Sequence, residues 1–351
     1  MENLLSSFKE ISNGIEYTVF TGEKYAAKID GDYFNVMLAP SWHRRFARGW
    51  FLHIALHAIV SRMNVDIFHS VENVCPLVKL KAKTIVTIHD LCPFLYPATL
   101  GLLHRHRMQF YVRHAIKTAD MIITVSQSIA NEIRDMFKIS DGRLAVVPNG
   151  IRDFFFTGKS SDCPDVLDGL GIGSPYMLCV GTLQPRKNIR NVLAAFGLLP
   201  EKTKKTITLV HAGSLGWLYK DTLIMVESHK DRDRIRMLGY VDLKTLKDLY
   251  DNALGLVFPS LYEGFGMPPV EAMACGAPVI ASDIPVMREV IGDAAIFVDP
   301  YSPESIASGI EKLYGDERTR RELSLKGRRR ARAFTQKAMA ERTVKIYREL
   351  A

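Results

Sequence analysis

Short runs of apolar residues, many of them β-branched, alternate with helix-like segments along the whole chain. Most of the runs are continuously apolar, which is the pattern of parallel strands buried on both faces of a sheet. Between them, segments such as 242–252 and 303–314 repeat leucine or isoleucine at helical spacing. This alternation predicts a doubly wound α/β architecture. The predicted strands are Tyr17–Phe20, Phe34–Leu38, Asp66–Ser70, Thr84–Asp90, Met121–Ser126, Ala145–Asn149, Tyr176–Gly181, Thr206–Gly213, Ile235–Tyr240, Leu254–Pro259, Pro278–Ser282 and Ala295–Asp299.

A segment rich in glycine, serine, aspartate and proline, 157–175, interrupts this rhythm and divides the predicted strands into two sets. We interpret it as a linker. The fold class that follows is α/β, with two Rossmann-like domains facing each other across a cleft. Residues 1–156 form the first domain and residues 176–334 the second. Because open α/β sheets bind ligands at the carboxyl ends of their strands, the residues that follow each predicted strand are the functional candidates.

Composition narrows the class of protein and of ligand. Hydrophobic residues make up 47% and charged residues 24% of the 351 residues, which is typical of a folded soluble chain. No stretch reaches the ~20 apolar residues of a membrane-spanning helix, and the N-terminal residues lack the pattern of a secretory signal peptide. The five cysteines are scattered, which favours reduced thiols in the cytoplasm over a zinc site or disulfides. The formal net charge of +8 favours an anionic partner, whether phosphorylated ligand, acidic membrane face or nucleic acid.

Two basic stretches bear on that choice of partner. Residues 42–62 mix arginine with tryptophan and phenylalanine and could lie on an anionic membrane, although an amphipathic helix with a solvated basic face explains them better. Residues 318–332 are also basic but lack stacking aromatic side chains, so we expect them to face solvent. We therefore expect a cytoplasmic protein with no nucleic-acid partner. Peripheral contact with the inner face of the membrane stays open as an alternative.

The densest block of candidate chemistry is 259–276, directly after a predicted strand. Its glycine loop, which includes Gly264 and Gly266, presents backbone amides, and two prolines then open a helix. Glu263 precedes the loop and Glu271 is expected in the first helical turn, so both carboxylates can face one pocket. Glu271 alone could merely complement the helix dipole, and Glu263 could be a solvated loop residue. The combination with glycines and prolines favours a ligand site.

A basic pair follows the first predicted strand of the second domain. Gly181 permits close backbone approach, and Arg186 and Lys187 stand just before a helix that begins near Asn188. Two cations at a helix N-terminus form a suitable site for a diphosphate, because the amides, the dipole and the side chains all favour negative charge. An ordinary basic surface turn is the alternative. The position of the pair at a strand end, after a glycine, favours the binding site.

The glutamate block resembles the Glu-x7-Glu signature of retaining glycosyltransferases of the GT-B fold, specifically the large family 4 typified by mannosyl- and glucosyltransferases. The resemblance implies that Glu271 binds the ribose hydroxyls of the donor. It further implies that Glu263, acting catalytically, and the backbone of the loop hold the hydroxyls of the transferred sugar. The loop positions are Gly264, Phe265 and Gly266.

The segment from Gly181 to Asn188 is similar to the family's Gly-Thr-Leu-Glu-Pro-Arg-Lys-Asn segment, with Gln184 in place of the commoner glutamate. The resemblance implies that Arg186 and Lys187 bind the pyrophosphate and stabilise the departing nucleoside diphosphate. Near Leu238–Asp242 and the following helix, it implies a nucleobase against Tyr240 and Leu246, although local apolar packing explains those two residues nearly as well.

In the first domain, the phrase from His89 to Pro97 resembles the family's His-Asp-Leu-x-Pro-x-x-Tyr-Pro segment. The resemblance implies that His89 is a catalytic residue beside the transferred sugar, whereas a lone histidine is more often structural. Asp90 either lies in the cleft or caps the following turn. Ser126 and Asn149 also match family positions at later strand ends and are further cleft candidates.

The expected activity is transfer of a hexose, such as mannose or glucose, from a UDP- or GDP-linked donor to a glycan or lipid-linked acceptor with retention of anomeric configuration. The sugar nucleotide is the substrate, and no cofactor or metal is expected, because the basic pair supplies the positive charge. A sugar-nucleotide epimerase or hydrolase of the same fold is the enzymatic alternative. A catalytically impaired partner subunit is the alternative from another class.

The resemblance covers nearly the whole chain except its start. Family members place a strand and a glycine-rich loop before the helix that Glu2–Phe8 resembles, and the sequence from Met1 contains neither. We expect a gap in the first sheet, and a reading frame that extends upstream by roughly 20–25 codons; a naturally truncated product is the alternative. At the other end, residues 335–351 match the family's final helix, Gln336–Leu350, which crosses back to the first domain.

Overall fold

The computed structural model describes residues 2–11, 14–27, 29–38, 56–158, 167, 169–173 and 175–351. Contacts divide the chain into two compact units. Unit 1 consists of Met1–Pro93, Leu102–Gly150 and Thr335–Ala351, and unit 2 consists of Phe94–Gly101 and Ile151–Phe334.

Each predicted strand run overlaps an observed strand, and every strand pairing among the described residues is parallel. This confirms the inference from continuous apolar runs, because strands covered on both faces have no polar side. The strands are β1 (Thr18–Thr21), β2 (Asn35–Leu38), β3 (Ile67–Ser70), β4 (Lys83–Ile88), β5 (Met121–Thr124), β6 (Leu144–Val146), β7 (Tyr176–Val180), β8 (Thr208–Ala212), β9 (Ile235–Gly239), β10 (Gly255–Phe258), β11 (Val279–Ser282) and β12 (Ala295–Val298).

Helices alternate with these strands, as the spacing of leucine and isoleucine predicts. Several begin at a side chain that accepts a backbone N–H at the N-terminus, among them Asp242 and Thr335. The helices are α1 (Glu2–Glu10), α2 (Glu23–Ala26), α3 (Leu56–Met63), α4 (Cys92–Leu95), α5 (Leu102–Thr118), α6 (Gln127–Phe137), α7 (Ile189–Leu198), α8 (Glu201–Thr206), α9 (Lys220–Glu227), α10 (Leu243–Asn252), α11 (Met267–Cys275), α12 (Pro285–Ile291), α13 (Pro303–Gly315), α14 (Glu317–Ala331) and α15 (Gln336–Leu350).

Unit 2 is built on one sheet with the strand order β12-β11-β10-β7-β8-β9. The chain starts in the middle at β7, runs outward to β9, and then returns to β10 on the other side. Its order therefore reverses between the neighbours β7 and β10, and this switch point is where open α/β sheets leave a crevice for ligands. Buried side chains of α7 and α13, including Val192, Phe196, Ile306 and Ile310, pack in the core of this unit.

Unit 1 contains two separate sheets. Strands β3-β4-β5-β6 form one, and β1 pairs with β2 in the other. No ladder joins the two sheets among the residues described. Both sheets pack on a shared core in which α1 and α15 meet the strands, through residues that include Phe8, Val19, Ile85, Val344 and Tyr347.

Some expectations fall on residues that the structure does not describe. Of the predicted linker 157–175, the stretch 159–166 and residues 168 and 174 lie outside the described ranges, as does 42–55 of the basic stretch 42–62. Across the described ranges, no helix is both long enough and apolar enough to cross a membrane. The four cysteines within those ranges are buried, and none of them is in a disulfide: Cys75, Cys92, Cys179 and Cys275.

Candidate functional site

The loop after β7 lies at the switch point of the sheet in unit 2. Gly181 follows the strand at φ +139°, a conformation that side chains rarely adopt. A Cβ atom there would lie 3.3 Å from the Cε atom of Lys187. The absence of a side chain at this glycine therefore allows the lysine to fold back across the strand end.

Backbone and side-chain hydrogen bonds tie this loop to the loop after β10. Arg186 and Lys187 occupy a short 3-10 turn, Pro185–Lys187, that ends at Asn188 in the left-handed conformation (φ +61°). The buried Asn188 amide donates to the carbonyl of Pro259 at 2.9 Å, and Leu261 N donates to the Arg186 carbonyl at 2.9 Å. The basic turn and the glutamate loop, about 75 residues apart in sequence, are thereby held side by side.

Glu263 forms ion pairs with both cations of the basic turn. Its Oε2 lies 2.9 Å from Arg186 Nη1, and its Oε1 lies 2.7 Å from Lys187 Nζ. Arg186 Nη1 also donates to the Tyr262 carbonyl at 2.7 Å, and the ammonium group lies 4.8 Å from the centroid of the Phe258 ring. Only 13%, 12% and 8% of the Arg186, Lys187 and Glu263 side chains are exposed.

The electrostatics of this cluster favour an additional anion. Burial acts most strongly on Glu263 and opposes its ionisation, but the charges of Lys187 and Arg186 outweigh burial and hold its pKa below the usual value. With the carboxylate ionised, two cations share one anion in a poorly solvated place. A phosphate group that approached the cluster would find one net positive charge and donors already oriented.

Glu271 lies in α11 and differs from its expected position. The helix begins at Met267 and has no acidic residue in its first turn, so the prediction that Glu271 sits there was wrong by one residue. The reason is that the helix starts one residue before the prolines, with Pro268 in its first turn. The Tyr250 hydroxyl donates to Glu271 Oε2 at 3.0 Å. Burial raises the pKa of Glu271 to about 7, although the Tyr250 hydrogen bond and the charge of Arg152 act in the opposite direction.

The glycine loop between β10 and α11 is anchored by one aromatic side chain. Phe265 is buried and meets the Phe334 ring edge-on, with centroids 5.3 Å apart. Gly266 has φ +91°, which permits the sharp entry into the helix. Gly264 is also buried. The Phe265 side chain therefore packs inside unit 2, and the backbone of the loop is the part suited to bind a ligand.

The two residues proposed to meet the nucleobase lie on neighbouring elements. Tyr240 follows β9 and is 79% exposed, whereas Leu246 on α10 is half-buried. Gly213 N donates to the Gly239 carbonyl at 2.7 Å, so the ends of β8 and β9 are joined. Because β8 lies between β7 and β9 in a parallel sheet, these strand ends share the edge that carries Gly181.

In unit 1, His89 follows β4 and is fixed by two hydrogen bonds. Its backbone N–H donates to the Asn73 side chain at 2.7 Å, and its Nε2 lies 2.8 Å from the carbonyl of Val71. Since a carbonyl only accepts, Nε2 carries the proton in this arrangement and Nδ1 of the neutral ring is an acceptor.

The other candidates of unit 1 have structural contacts. Asp90 Oδ1 accepts the Cys92 N–H at 2.9 Å. This is the capping role that the sequence left open as the alternative to a position in the cleft. Ser126 is fully buried and caps α6 by accepting the Ile129 N–H at 3.2 Å. Asn149 is half-buried after β6.

Sequence reasoning missed the aromatic residues around the cluster. Unit 2 includes the short segment Phe94–Gly101, in which Tyr96 stacks on Tyr262 with ring centroids 5.1 Å apart. The Trp217 indole donates to the Thr99 carbonyl, which is a second contact between this segment and the rest of unit 2. Tyr96 could have been singled out from the sequence, because it is the tyrosine of the His-Asp-Leu-x-Pro-x-x-Tyr-Pro phrase. Nothing in the sequence indicated its partner Tyr262, or the hydrogen bond from Tyr250 to Glu271.

Metal-ligating side chains are dispersed within the described ranges. No three histidine, cysteine, aspartate or glutamate side chains there come close enough together to hold an ion.

Solved structures of two other proteins share this fold. Sucrose-phosphate synthase from Thermosynechococcus elongatus superimposes with a TM-score of 0.81 at 22% identity, covering 99% of this chain and 91% of that one. Anabaena HepE in complex with UDP-glucose superimposes with a TM-score of 0.78 at 16% identity, covering 99% and 94%. The fold is therefore that of the GT-B glycosyltransferases.

Sequence comparison then fixes the family. The model of the group 1 glycosyl transferases matches residues 169–330, and that of glycosyltransferase family 4 matches residues 3–153. The O-antigen chain mannosyltransferase B of Escherichia coli is 31% identical over 269 residues, which cover 76% of this chain and 71% of that protein. The O-antigen chain mannosyltransferase RfbU of Salmonella typhimurium is 27% identical over 272 residues, covering 75% and 70%. The chain belongs to the group 1 glycosyltransferases.

Proposed function

We propose that this protein is a retaining hexosyltransferase that transfers mannose from a nucleotide-diphosphate donor to a glycan or lipid-linked acceptor. The named activities of the two O-antigen mannosyltransferases support mannose, with glucose as the second candidate. The neighbour solved with UDP-glucose supports a nucleotide sugar as donor. Donor binding belongs to residues 176–334 and acceptor binding to residues 1–156. We place the enzyme in the cytoplasm, consistent with described cysteines that are not in disulfides.

The observation that carries this proposal is the buried Arg186–Glu263–Lys187 cluster. The diphosphate of the donor binds Arg186 and Lys187, and these charge-assisted contacts replace part of their pairing with Glu263. The carboxylate is then available to accept hydroxyl groups of the sugar. A site that is internally paired when empty avoids the cost of two unpartnered cations away from water.

Glu271 binds the ribose hydroxyls of the donor in this proposal. Its Oε2 is oriented by the Tyr250 hydroxyl at 3.0 Å, and each carboxylate oxygen has lone pairs for a further donor. Tyr240 and Leu246 flank the nucleobase, and the backbone from Gly264 to Gly266 faces the sugar and phosphates.

The chemistry then follows from the position of the basic pair. The bond between the anomeric carbon and the diphosphate oxygen breaks, and its electron pair stays on the diphosphate, where Arg186 and Lys187 stabilise the developing charge. The acceptor oxygen bonds to the anomeric carbon from the same face, and its proton passes to a diphosphate oxygen. His89 is proposed to accept a hydroxyl of the transferred sugar at Nδ1. No cofactor takes part, and no metal is required, because the two cations neutralise the leaving group.

The test is to incubate the protein with UDP- and GDP-linked glucose and GDP-mannose and to follow release of the nucleoside diphosphate by mass spectrometry. We expect release from one donor, unchanged by EDTA. Lys187→Ala should weaken binding of that nucleoside diphosphate about tenfold or more, since a charge-assisted contact contributes ~1.5–3 kcal/mol. The matched control is Lys345→Ala, which removes an exposed lysine of α15.

Three results would contradict the proposal. Unchanged nucleotide affinity in Lys187→Ala would remove the basic pair from the donor site. Loss of turnover on chelation, restored by magnesium or manganese, would require a different source of positive charge. Release of free sugar or an epimer without transfer to any added glycan would favour the hydrolase or epimerase alternative.

A further inference from the structure

The segment Phe94–Gly101 lies at the edge of the unit 2 sheet where the strands end. Tyr96 of this segment stacks on Tyr262, which follows β10 and directly precedes Glu263. The Tyr96 hydroxyl lies 3.4 Å from that of Tyr301, which follows β12 at the outer edge of the same sheet. All of these residues belong to unit 2. The two contacts therefore link the loop that carries Glu263 with the turn after β12.

Hydrogen bonds hold the turn after β12 in place. The Pro300 carbonyl accepts from the side-chain amides of Asn188 at 2.6 Å and Asn191 at 2.9 Å. Asn188 is the residue at which the basic turn ends. On the other side of the proline, Asp299 Oδ1 accepts the Tyr301 N–H at 2.8 Å. The position of the Tyr301 ring is thereby defined by the same residue that ends the basic turn.

The turn presents an aromatic ring and a carboxylate to solvent. Tyr301 is 64% exposed, and Asp299 beside it is exposed as well. Asp299 Oδ2 accepts no hydrogen bond from the part of the chain that the structure describes. The other charged residue of the stretch 299–305 is Glu304, which is also exposed. A ring, a hydroxyl and an available carboxylate oxygen thus lie together, and 299–305 contains no cation.

We propose that Tyr301, Asp299 and Tyr96 form a subsite that binds one hexose unit of a neutral glycan acceptor. A pyranose carries C–H groups on its faces and hydroxyls around its rim, so it fits an aromatic face with hydrogen-bond acceptors beside it. Asp299 Oδ2 accepts from those hydroxyls, and an ionised acceptor forms the stronger hydrogen bond. The inference rests on the proposed transfer to a glycan. It adds to the acceptor site a ring and a carboxylate that follow β12, outside residues 1–156.

The charges and the size of this surface argue against other ligands. Two carboxylates without a cation in the same turn repel phosphates, nucleic acids and anionic lipids. Arg288 follows the neighbouring strand β11, but it is paired with Asp283 at 2.7 Å. A stable protein partner buries about 800 Å² on each side, which is far more than one exposed ring offers. A neutral ligand rich in hydroxyls is the class that remains.

The test measures binding of mannotetraose and, separately, of maltotetraose to the full chain by saturation-transfer NMR titration, without any sugar nucleotide. We expect the parent chain to bind at least one tetraose. Tyr301→Ala should weaken that binding about fivefold, as expected for loss of an aromatic contact, whereas Tyr301→Phe keeps the ring and should bind within twofold of the parent. Asp299→Asn keeps an acceptor for the Tyr301 N–H and should weaken binding about threefold or more, because a charged acceptor becomes neutral.

The controls remove exposed side chains elsewhere in unit 2. Leu325→Ala and Asp233→Asn change residues of which 69% and, for the aspartate side chain, 82% are exposed, and both should leave tetraose binding unchanged. Each substituted residue is exposed, so the melting temperature of every variant should match that of the parent chain. Affinity for UDP and GDP should also be unchanged in Tyr301→Ala. That readout separates a lost saccharide contact from a disturbed donor cluster.

The proposal is overturned if the parent chain binds neither tetraose, if Tyr301→Ala binds as the parent does, or if Leu325→Ala loses as much affinity. Loss of nucleotide affinity in Tyr301→Ala would also overturn it, since the ring would then act through the donor cluster. A dimer that Tyr301→Ala dissociates, with tetraose binding intact, would assign the ring to a contact between two copies. Failure of the proposed transfer is a separate observation, because it is absence of nucleoside diphosphate release, and tetraose binding that depends on Tyr301 would still establish the subsite.

Discussion

Glu263 and Glu271 are two carboxylates of one predicted motif whose surroundings push their pKa values in opposite directions. Burial opposes ionisation of both. At Glu263 the adjacent Lys187 and Arg186 outweigh it and lower the pKa. At Glu271 the hydrogen bond from Tyr250 and the charge of Arg152 do not outweigh burial, which raises the pKa to about 7. Neighbouring carboxylates that differ in this way can carry different tasks. We assign the carboxylate with the lowered pKa to the cation cluster and the one with the raised pKa to the ribose.

The first residue-scale prediction concerns pH. An ionised carboxylate accepts from two ribose hydroxyls more strongly than a protonated one, so protonation of Glu271 should weaken binding of UDP or GDP. The pKa in the folded protein is raised to about 7. Affinity should therefore be highest above that value and fall by up to about tenfold per pH unit below it. Calorimetric titration of the parent chain and of Glu271→Gln across this range measures the effect.

Glu271→Gln also serves as the control, because the phosphates of the nucleotide titrate in the presence of either the variant or the parent chain. Subtracting the Glu271→Gln profile leaves the contribution of the carboxyl group. Identical profiles would mean that Glu271 does not titrate at the nucleotide.

A second prediction at this scale concerns Tyr96. Its ring stacks on Tyr262, whose carbonyl accepts from Arg186 and which directly precedes Glu263. Tyr96→Ala should loosen this arrangement and weaken nucleotide binding by about two- to tenfold, since an aromatic pair contributes ~0.5–1.5 kcal/mol. Tyr96→Phe keeps the ring and should bind as the parent chain does. Equal loss in both variants would transfer the effect to the hydroxyl, which lies 3.4 Å from that of Tyr301.

At the scale of elements, the strands and the helices of unit 2 were predictable because each satisfies a local rule. Continuous apolar runs such as Leu254–Pro259 allow only a strand covered on both faces, and Asp242 caps α10 in the way its side chain favours. The start of α11 was misplaced since two adjacent prolines are compatible with the first turn at more than one register. No local rule predicts that the loops after β7 and β10 lie side by side. The contact between Arg186 and Glu263 depends on the order of the strands in the sheet.

The prediction for an element concerns the entry into α11. Gly266 has φ +91°, and a Cβ atom there would lie 2.5 Å from Met287 Cε. Gly266→Ala should therefore lower the free energy of unfolding by ~1–3 kcal/mol, the usual cost of a side chain in this backbone region. Urea denaturation measures it. Gly142→Ala is the matched control, since it has no atom within 4 Å of the added carbon and no positive φ.

The control variant should unfold at nearly the parent urea concentration. If Gly266→Ala did so too, the loop would be free to adopt another conformation, and the proposed rigid backbone around the sugar would lose its support.

At the scale of the whole molecule, the two units differ in how completely their sheets are paired. In unit 2, β7 has a hydrogen-bonded strand on both sides, whereas in unit 1 the strands β1 and β3 each have one partner within the described ranges. The gap expected in the first sheet rested only on resemblance to a family and stays a prediction, since no local pattern reveals a missing neighbour. Nor could the sequence predict that Phe94–Gly101 belongs to unit 2, because that depends on the stacking of Tyr96 on Tyr262 and on the hydrogen bond from Trp217 to the Thr99 carbonyl.

The last prediction follows from this difference and concerns amide hydrogen exchange. A two-stranded sheet is marginal by itself, so β1 and β2 depend on the core that Phe8 and Val19 form with α15. Their amides should exchange faster than those of β7 and β10. Phe8→Ala removes a ring that is 2% exposed and stacked on Tyr17 at 4.7 Å, and it should accelerate exchange in β1 and β2 further.

Phe196→Ala is the matched core change in unit 2, where the ring is fully buried, and it should accelerate exchange in β7 and β8 instead. Mass spectrometry of peptic fragments separates these strands. Protection of β1 equal to that of β7 would contradict the prediction, because a strand with one partner has no second ladder to shield its outward amides. Such a result would require a further segment hydrogen-bonded to β1, and the Phe8→Ala variant would then leave β1 protected.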